Sequence, residues 1–172
     1  MRKTEALARL WAPWRMSYLK KITGPKKLRG CFLCDYARSP GRDRENLVVL
    51  RGRSSFTVLN RFPYAGGHLL VAPLAHKARL GLLTEPERRE LLELLVRMEE
   101  TLDRLMHPQG YNVGANFGRA AGAGVPGHLH FHLIPRWNGD TNFMTTVADA
   151  RVLPQALEEL QAELQKALRD RR

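Results

Sequence analysis

Three histidines, His128, His130 and His132, stand at alternate positions in the stretch GHLHFHLIPRW, Gly127 to Trp137, and make up half of the six in the chain. Side chains at i, i+2 and i+4 of an extended strand share one face. The spacing therefore predicts three imidazoles along one side, with Leu129, Phe131 and Leu133 packed behind them. Histidine is uncommon and seldom clusters on a surface strand without a use, so a merely solvated face is the weaker reading. The uses are metal binding and phosphoryl chemistry. A neutral imidazole can attack phosphorus to give a phosphoramidate, which a second nucleophile then breaks. Neighbouring imidazolium groups would offset charge on the phosphoryl oxygens. The loop just before, GRAAGAGVPG from Gly118 to Gly127, is rich in glycine and presents backbone N–H groups of the kind that cradle phosphate. Together these favour phosphate chemistry over a metal site built from all three histidines.

A second constellation is Cys31-Phe32-Leu33-Cys34, which holds both cysteines of the chain. A single C-x2-C fits a metal knuckle, a redox disulfide or two buried thiols. The redox reading is poor, because the flanks are a basic loop and not the strand-to-helix turn of a βαβ unit. A knuckle needs two further ligands to complete a tetrahedral zinc site.

The elements that must position these residues follow from periodicity. LVVL (Leu47–Leu50), SFTVLN (Ser55–Asn60) and HLLVAP (His68–Pro73) are short apolar or β-branched runs bounded by turn residues, and predict an antiparallel meander. DYARSPGRDREN, residues 35–46, reads as a loop. The strongest helix is predicted from Thr84 to about His107: Thr84 suits the N-cap, Pro86 the first turn, and Glu87 completes a capping box. Leu91, Leu92, Leu94, Leu95, Met98, Leu102 and Leu105 then recur near the helical period and form one apolar face. Tyr111–Phe117 reads as a fourth strand, about Leu129 to Ile134 as a fifth, and a helix runs from Pro154 through Leu160, Leu164 and Leu168. This order predicts an α+β fold with a largely antiparallel sheet. His107, before Pro108 at a helix end, reads as a cap or a solvated residue.

The 172 residues suit one domain, residues 31–172, preceded by a basic arm, residues 1–30, that packs on it. The net charge is +11, and the arm holds nine Lys or Arg against Glu5 alone. Such a patch attracts polyanions, nucleic acid or a phosphate-rich substrate, or is a solvated surface. Trp11 and Trp14 read as anchors of the arm. No apolar run approaches the roughly 18 residues of a membrane span, and no signal peptide is legible, which predicts a cytoplasmic protein.

The pattern His-φ-His-φ-His-φ-φ followed by Pro135-Arg136 resembles the signature of the histidine-triad (HIT) superfamily of nucleotidyl hydrolases and transferases. NRFPYAGGHLLVAP, Asn60 to Pro73, is similar to the family's Asn … Gly-His-x-Leu-Val segment, and CFLC stands where many members carry a Cys pair. LWAPWRMSYL and GANFGRAAGAGVPGHLHFHLIPRW look closest to the bacterial diadenosine tetraphosphate phosphorylase-like branch. The resemblance implies a HIT-like fold, a mainly antiparallel five-stranded sheet with one long helix packed on it and a C-terminal helix. It also implies a homodimer that transfers AMP from a dinucleoside polyphosphate. His130 matches the nucleophile, His132 a position that binds the α-phosphate, and His68 a buried supporting histidine. Asn60 matches an asparagine near ribose and phosphate, and Asn116 stands about where a phosphate-contacting amide is common. Cys31, Cys34, His76 and His128 match four positions that often hold a structural Zn2+. One departure stands out: Gly124 and Val125 replace a Gln and a Ser or Thr, so the usual hydroxyl is missing. Room beside Gly124 would admit inorganic phosphate and favour phosphorolysis. The alternatives are a dinucleotide or phosphoramidate hydrolase of the same family, and a non-catalytic, zinc-containing module that binds nucleotides or, less favoured, nucleic acid.

Overall fold

The computed structural model describes residues 30–140 and 155–170. The basic arm up to Arg29, with Trp11 and Trp14, lies outside the described residues. Five strands, β1 (Val48–Arg51), β2 (Ser55–Leu59), β3 (Leu69–Pro73), β4 (Gly110–Gly114) and β5 (Phe131–Arg136), form one sheet in the order β1-β2-β3-β5-β4. All four pairings are antiparallel. Among the described residues three α-helices, α1 (Phe32–Arg38), α2 (Glu85–Met106) and α3 (Leu157–Arg169), complete the α+β architecture. No helix among the described residues is long and apolar enough to cross a membrane.

The meander forms because β2 and β3 are buried along their full lengths and pair without a break from Ser55↔Pro73 to Leu59↔Leu69. α2 begins as its sequence dictates: Glu87 accepts the Thr84 backbone N–H at 2.6 Å, and Pro86 sits in the first turn. It ends at His107, whose φ of 47° is the left-handed cap conformation. Leu91, Leu94, Leu95, Met98 and Leu102 are buried on one face, and α2 packs on β2 and β3. α3 covers β1 and α2 with Leu160, Leu164 and Leu168. Gln161, on the same buried face, donates to the carbonyls of Asp43 and Val48. The Leu102, Met106 and Pro135 side chains converge beside Gly67, so α2 lies on the Pro135 side of β5. His132, an odd number of residues away, faces the opposite side.

Three boundaries depart from the sequence reading. Residues 35–46 are not all loop: Phe32–Arg38 is helical, carrying Asp35 in its first turn and Arg38 in its last, and Pro40 follows its end. Phe32 and Tyr36 meet edge to face across one turn at 5.3 Å, and Leu33 is fully buried. β4 stops at Gly114, leaving Asn116 exposed beyond it. β5 starts at Phe131, two residues later than the alternation suggests. The β3–β5 register pairs Val71 with Phe131, so continuing it would bring Leu129 opposite Pro73, which has no N–H to donate. The ladder stops there, and the Leu129 N–H goes to the Lys77 carbonyl at 2.6 Å.

Candidate functional site

The end of the ladder divides the three histidines. His132 lies in β5, while His128 and His130 precede it in irregular chain. His130 and His132 stay side by side, ring centroids 5.2 Å apart, and His68 lies 5.1 Å beyond His132. The ring of His128 instead contacts the two cysteines. The expectation of three imidazoles along one side thus becomes a pair and a third ring turned toward the cysteines. Of the three residues expected to pack behind them, Leu129 and Leu133 are buried and Phe131 is half-buried.

Hydrogen bonds fix which nitrogens of these rings carry hydrogen. The Tyr64 backbone N–H donates to His68 Nδ1 at 3.1 Å, and the Asn60 amide lies 3.2 Å from the same atom. Nδ1 is therefore an acceptor, the hydrogen sits on Nε2, and Nε2 donates to His132 Nδ1 at 2.9 Å. That leaves the hydrogen of His132 on its own Nε2. His130 is set the other way: Nδ1–H donates to the His128 carbonyl at 2.9 Å, so Nε2 keeps its lone pair. Burial lowers the pKa of His130, the bond to the His128 carbonyl only partly opposing it, and the ring is neutral near pH 7. A neutral nitrogen with an available lone pair thus stands next to a ring whose outer nitrogen is a donor.

His68 is itself placed by its neighbours. It is fully buried, and Asn60 ties it to the preceding loop, since Asn60 Oδ1 accepts the Phe62 N–H at 3.0 Å. Asn60, expected near ribose and phosphate, directs its amide to this internal clamp. Gly67 has a φ of 76°, and a Cβ there would meet Met106 Sδ and Pro135 Cγ at 3.0 Å. Glycine is required just before His68 for both reasons. Gly124 and Val125 are half-buried in the loop, and the Val125 carbonyl accepts the His128 N–H at 3.2 Å. Arg136 and Trp137 are engaged internally: Arg136 pairs with Asp140 and donates to Asn112 Oδ1, and Trp137 Nε1 donates to the Met106 carbonyl.

Cys31, Cys34, His76 and His128 form the second cluster, with one ligand atom from each lying within 4.8 Å of the others. His76 Nδ1 is 3.1 Å from Cys34 Sγ, and His128 Nδ1 is 3.3 and 3.4 Å from Cys31 and Cys34 Sγ. His128 Nε2 donates to the Pro73 carbonyl at 2.8 Å, so its Nδ1 presents a lone pair to the cluster. A tetrahedral zinc ion, with Zn–S of about 2.3 Å and Zn–N of about 2.0 Å, holds sulfur and nitrogen about 3.5 Å apart. Two thiols and two imidazoles at these spacings fit such an ion with no open position. Without a cation, burial and the neighbouring Cys31 push the Cys34 thiol up, and burial holds His128 below the usual histidine range.

The sequence reading did not single out four residues that shape these sites. Tyr64 stacks on His68, centroids 4.8 Å apart and planes at 29°. Pro73 ends the ladder and holds His128. At Gly127 a Cβ would lie 3.0 Å from His76 Nε2, so glycine there admits the ring of that ligand. Arg51 binds α1 through the Tyr36 and Ala37 carbonyls, at 2.6 and 3.1 Å, and pairs with Asp43. Among these the one legible signal was Gly127, which stands directly before His128 as Gly67 stands before His68.

Residues 42–139 match the family model described as HIT domain. An AP-4-A phosphorylase of Mycobacterium tuberculosis is 36% identical over 164 residues, covering 90% of this chain and 81% of that protein. An adenosine 5'-monophosphoramidase of Schizosaccharomyces pombe is 28% identical over 115 residues, 67% of this chain and 83% of its own. Among solved structures, a zinc-bound histidine triad family protein from Mycobacterium smegmatis superposes with a TM-score of 0.66 at 26% identity, covering 82% of this chain and 94% of that one.

Proposed function

The chain belongs to the HIT domain family and is a nucleotidyl-transferring enzyme, and from that premise we propose that it acts on dinucleoside polyphosphates of the diadenosine tetraphosphate type through a covalent AMP on His130. One observation carries this reading: the buried, neutral His130 has Nδ1 tied to the His128 carbonyl and its Nε2 lone pair beside the donor ring of His132. In the first step Nε2 bonds to the α-phosphorus, and the P–O bond to the departing nucleotide breaks with its electron pair on oxygen. His132 Nε2–H donates to an α-phosphoryl oxygen as charge builds there, held to that task by His68. In the second step an oxygen of inorganic phosphate attacks, the P–N bond breaks, and ADP leaves; attack by water would release AMP. Gly124 and Val125, which lack the hydroxyl expected at that point of the loop, support phosphate as the acceptor. His68, Asn60 and Asn116 remain in this reading as supporting and substrate-side residues, Asn60 through its hold on His68.

Zinc on Cys31, Cys34, His76 and His128 would supply a structural cross-link and no open coordination site for chemistry. The same membership supports a homodimer, for which the β4 edge, unpaired among the described residues, and the exposed Val113 offer a surface; sedimentation of the purified protein tests it.

Labelled diadenosine tetraphosphate, quenched early and peptide-mapped, should leave adenylate on the peptide containing His130. His130→Ala should abolish turnover while the fold and the metal content persist. ADP as the product only when phosphate is present supports phosphorolysis; equal rates with and without phosphate, yielding AMP, support the hydrolase that the phosphoramidase relative suggests. Nucleotide binding that weakens steeply with salt and survives His130→Ala, with no turnover by the unaltered protein, would favour a binding module instead.

A further inference from the structure

Tyr64 touches the relay at two places. Its backbone N–H is a hydrogen-bond donor to His68 Nδ1, and its ring lies over His68 at 4.8 Å and over His132 at 6.1 Å, the planes inclined by 29° in both cases. His132 is thereby enclosed by three rings: Tyr64, His68 at 5.1 Å and 45°, and His130 at 5.2 Å and 64°.

The terminal torsion of a histidine is broad and nearly two-fold, so a ring half-turn that exchanges its nitrogen and carbon edges is opposed by what packs against it and by the hydrogen bonds to its nitrogens. A half-turn of His132 would break the 2.9 Å bond from His68 and move its outer hydrogen away from the neighbour of His130. Aromatic stacking is directional and resists such rotation. The hydrogen bond from His68 fixes Nδ1 of His132 but does not by itself set the tilt of the ring about that bond; the overlying phenol ring opposes such tilting.

We propose that Tyr64 is a positioning residue for the transfer reaction, its ring holding His132 with Nδ1 toward His68 and its main chain fixing the hydrogen of His68 on Nε2. The kinetic part rests on the AMP-transfer reading; the placement of the His132 hydrogen does not. The hydroxyl of Tyr64 has no part in this, so phenylalanine should serve and a non-aromatic side chain should not.

The test compares Tyr64→Phe, Tyr64→Leu and Tyr64→Met by ring nitrogen NMR of His132 and by steady-state kinetics with diadenosine tetraphosphate. In the unaltered protein and in Tyr64→Phe, His132 should show one tautomer with hydrogen on Nε2. In Tyr64→Leu and Tyr64→Met a mixture should appear, with kcat lower by about ten- to a hundredfold and KM changed by less than about threefold. A single unchanged tautomer in both non-aromatic variants overturns the proposal, whatever the rate does. If one of them fails to fold, the other decides. If the unaltered protein turns over no dinucleotide, the AMP-transfer reading fails, and the NMR comparison still tests the placement.

Discussion

Two imidazoles of the same residue type do opposite jobs at this site because each has a different neighbour on Nδ1. His130 gives its Nδ1 hydrogen to a carbonyl and keeps a lone pair; His132 receives a hydrogen on Nδ1 and keeps a donor. Two glycines protect this assignment by what they lack. Gly67→Ala would put a Cβ on a backbone with φ of 76° and against Met106 and Pro135. The expected loss is about 1–3 kcal/mol of stability by urea denaturation, with kcat falling further than the stability change explains, because His68 shifts. Gly127→Ala should crowd His76, lowering zinc affinity in a chelator competition by about tenfold or more while the secondary structure seen by circular dichroism stays the same.

At the scale of elements, what matters is how helices are fastened to the strands that carry the chemistry. Cys31 stands at the N-cap of α1 and Cys34 in its first turn, and Arg51 of β1 grips its last turn and Asp43 together. Arg51→Met should weaken zinc binding in the same competition without removing any ligand. α2 is fastened at its start by two carboxylates. Glu87 takes Lys77 Nζ and the Thr84 N–H, and these bonds, that from Lys77 foremost, hold its pKa below the ordinary 4.5. Burial alone would raise Glu90, but hydrogen bonds from the Ser54 hydroxyl and the N–H groups of Arg53, Ser54 and Ser55 outweigh it and lower it. Because both folded values are depressed, this contribution to stability is full above pH 4.5 and disappears as pH falls through the lower folded values. Urea midpoints between pH 7 and pH 3 should show that loss, and Glu87→Gln with Glu90→Gln should flatten it.

For the whole molecule, the metal cluster joins segments far apart in the chain, 42 residues between Cys34 and His76 and 97 between Cys31 and His128. An ion there would tie α1, the segment after β3 and the segment before β5 in one step, and its binding energy would add to folding. The same His128 lends its carbonyl to His130, so the fastening reaches the residue proposed as nucleophile. Stripping zinc with a chelator should lower Tm, each kcal/mol lost moving it by about 2–4 °C in a chain of this size, and should slow adenylation of His130 before the fold is lost. Restoring zinc should recover both; an unchanged Tm and rate in metal-free protein would argue against the cluster as a cross-link.

Local pattern was enough for much of this. The meander, the capped start of α2 and its His107 end, and the apolar face of α3 are written in residue type and spacing, because strand alternation, helix periodicity and capping act over a few neighbours. The pairing of His76 and His128 with the Cys pair was implied only by the family resemblance. Local pattern did not show that His128 turns away from His130 and His132. That depends on Pro73, which lies opposite Leu129 only once β3 and β5 are in register, and whose missing N–H ends the ladder. The helix at Phe32–Arg38 was hidden for a similar reason: its stability comes from burial of Leu33 and from Arg51, neither visible in its own seven residues. Which nitrogen of each imidazole carries hydrogen was likewise decided by tertiary structure alone, since the partners that set it, Tyr64, His68 and the His128 carbonyl, are brought together by the folded sheet.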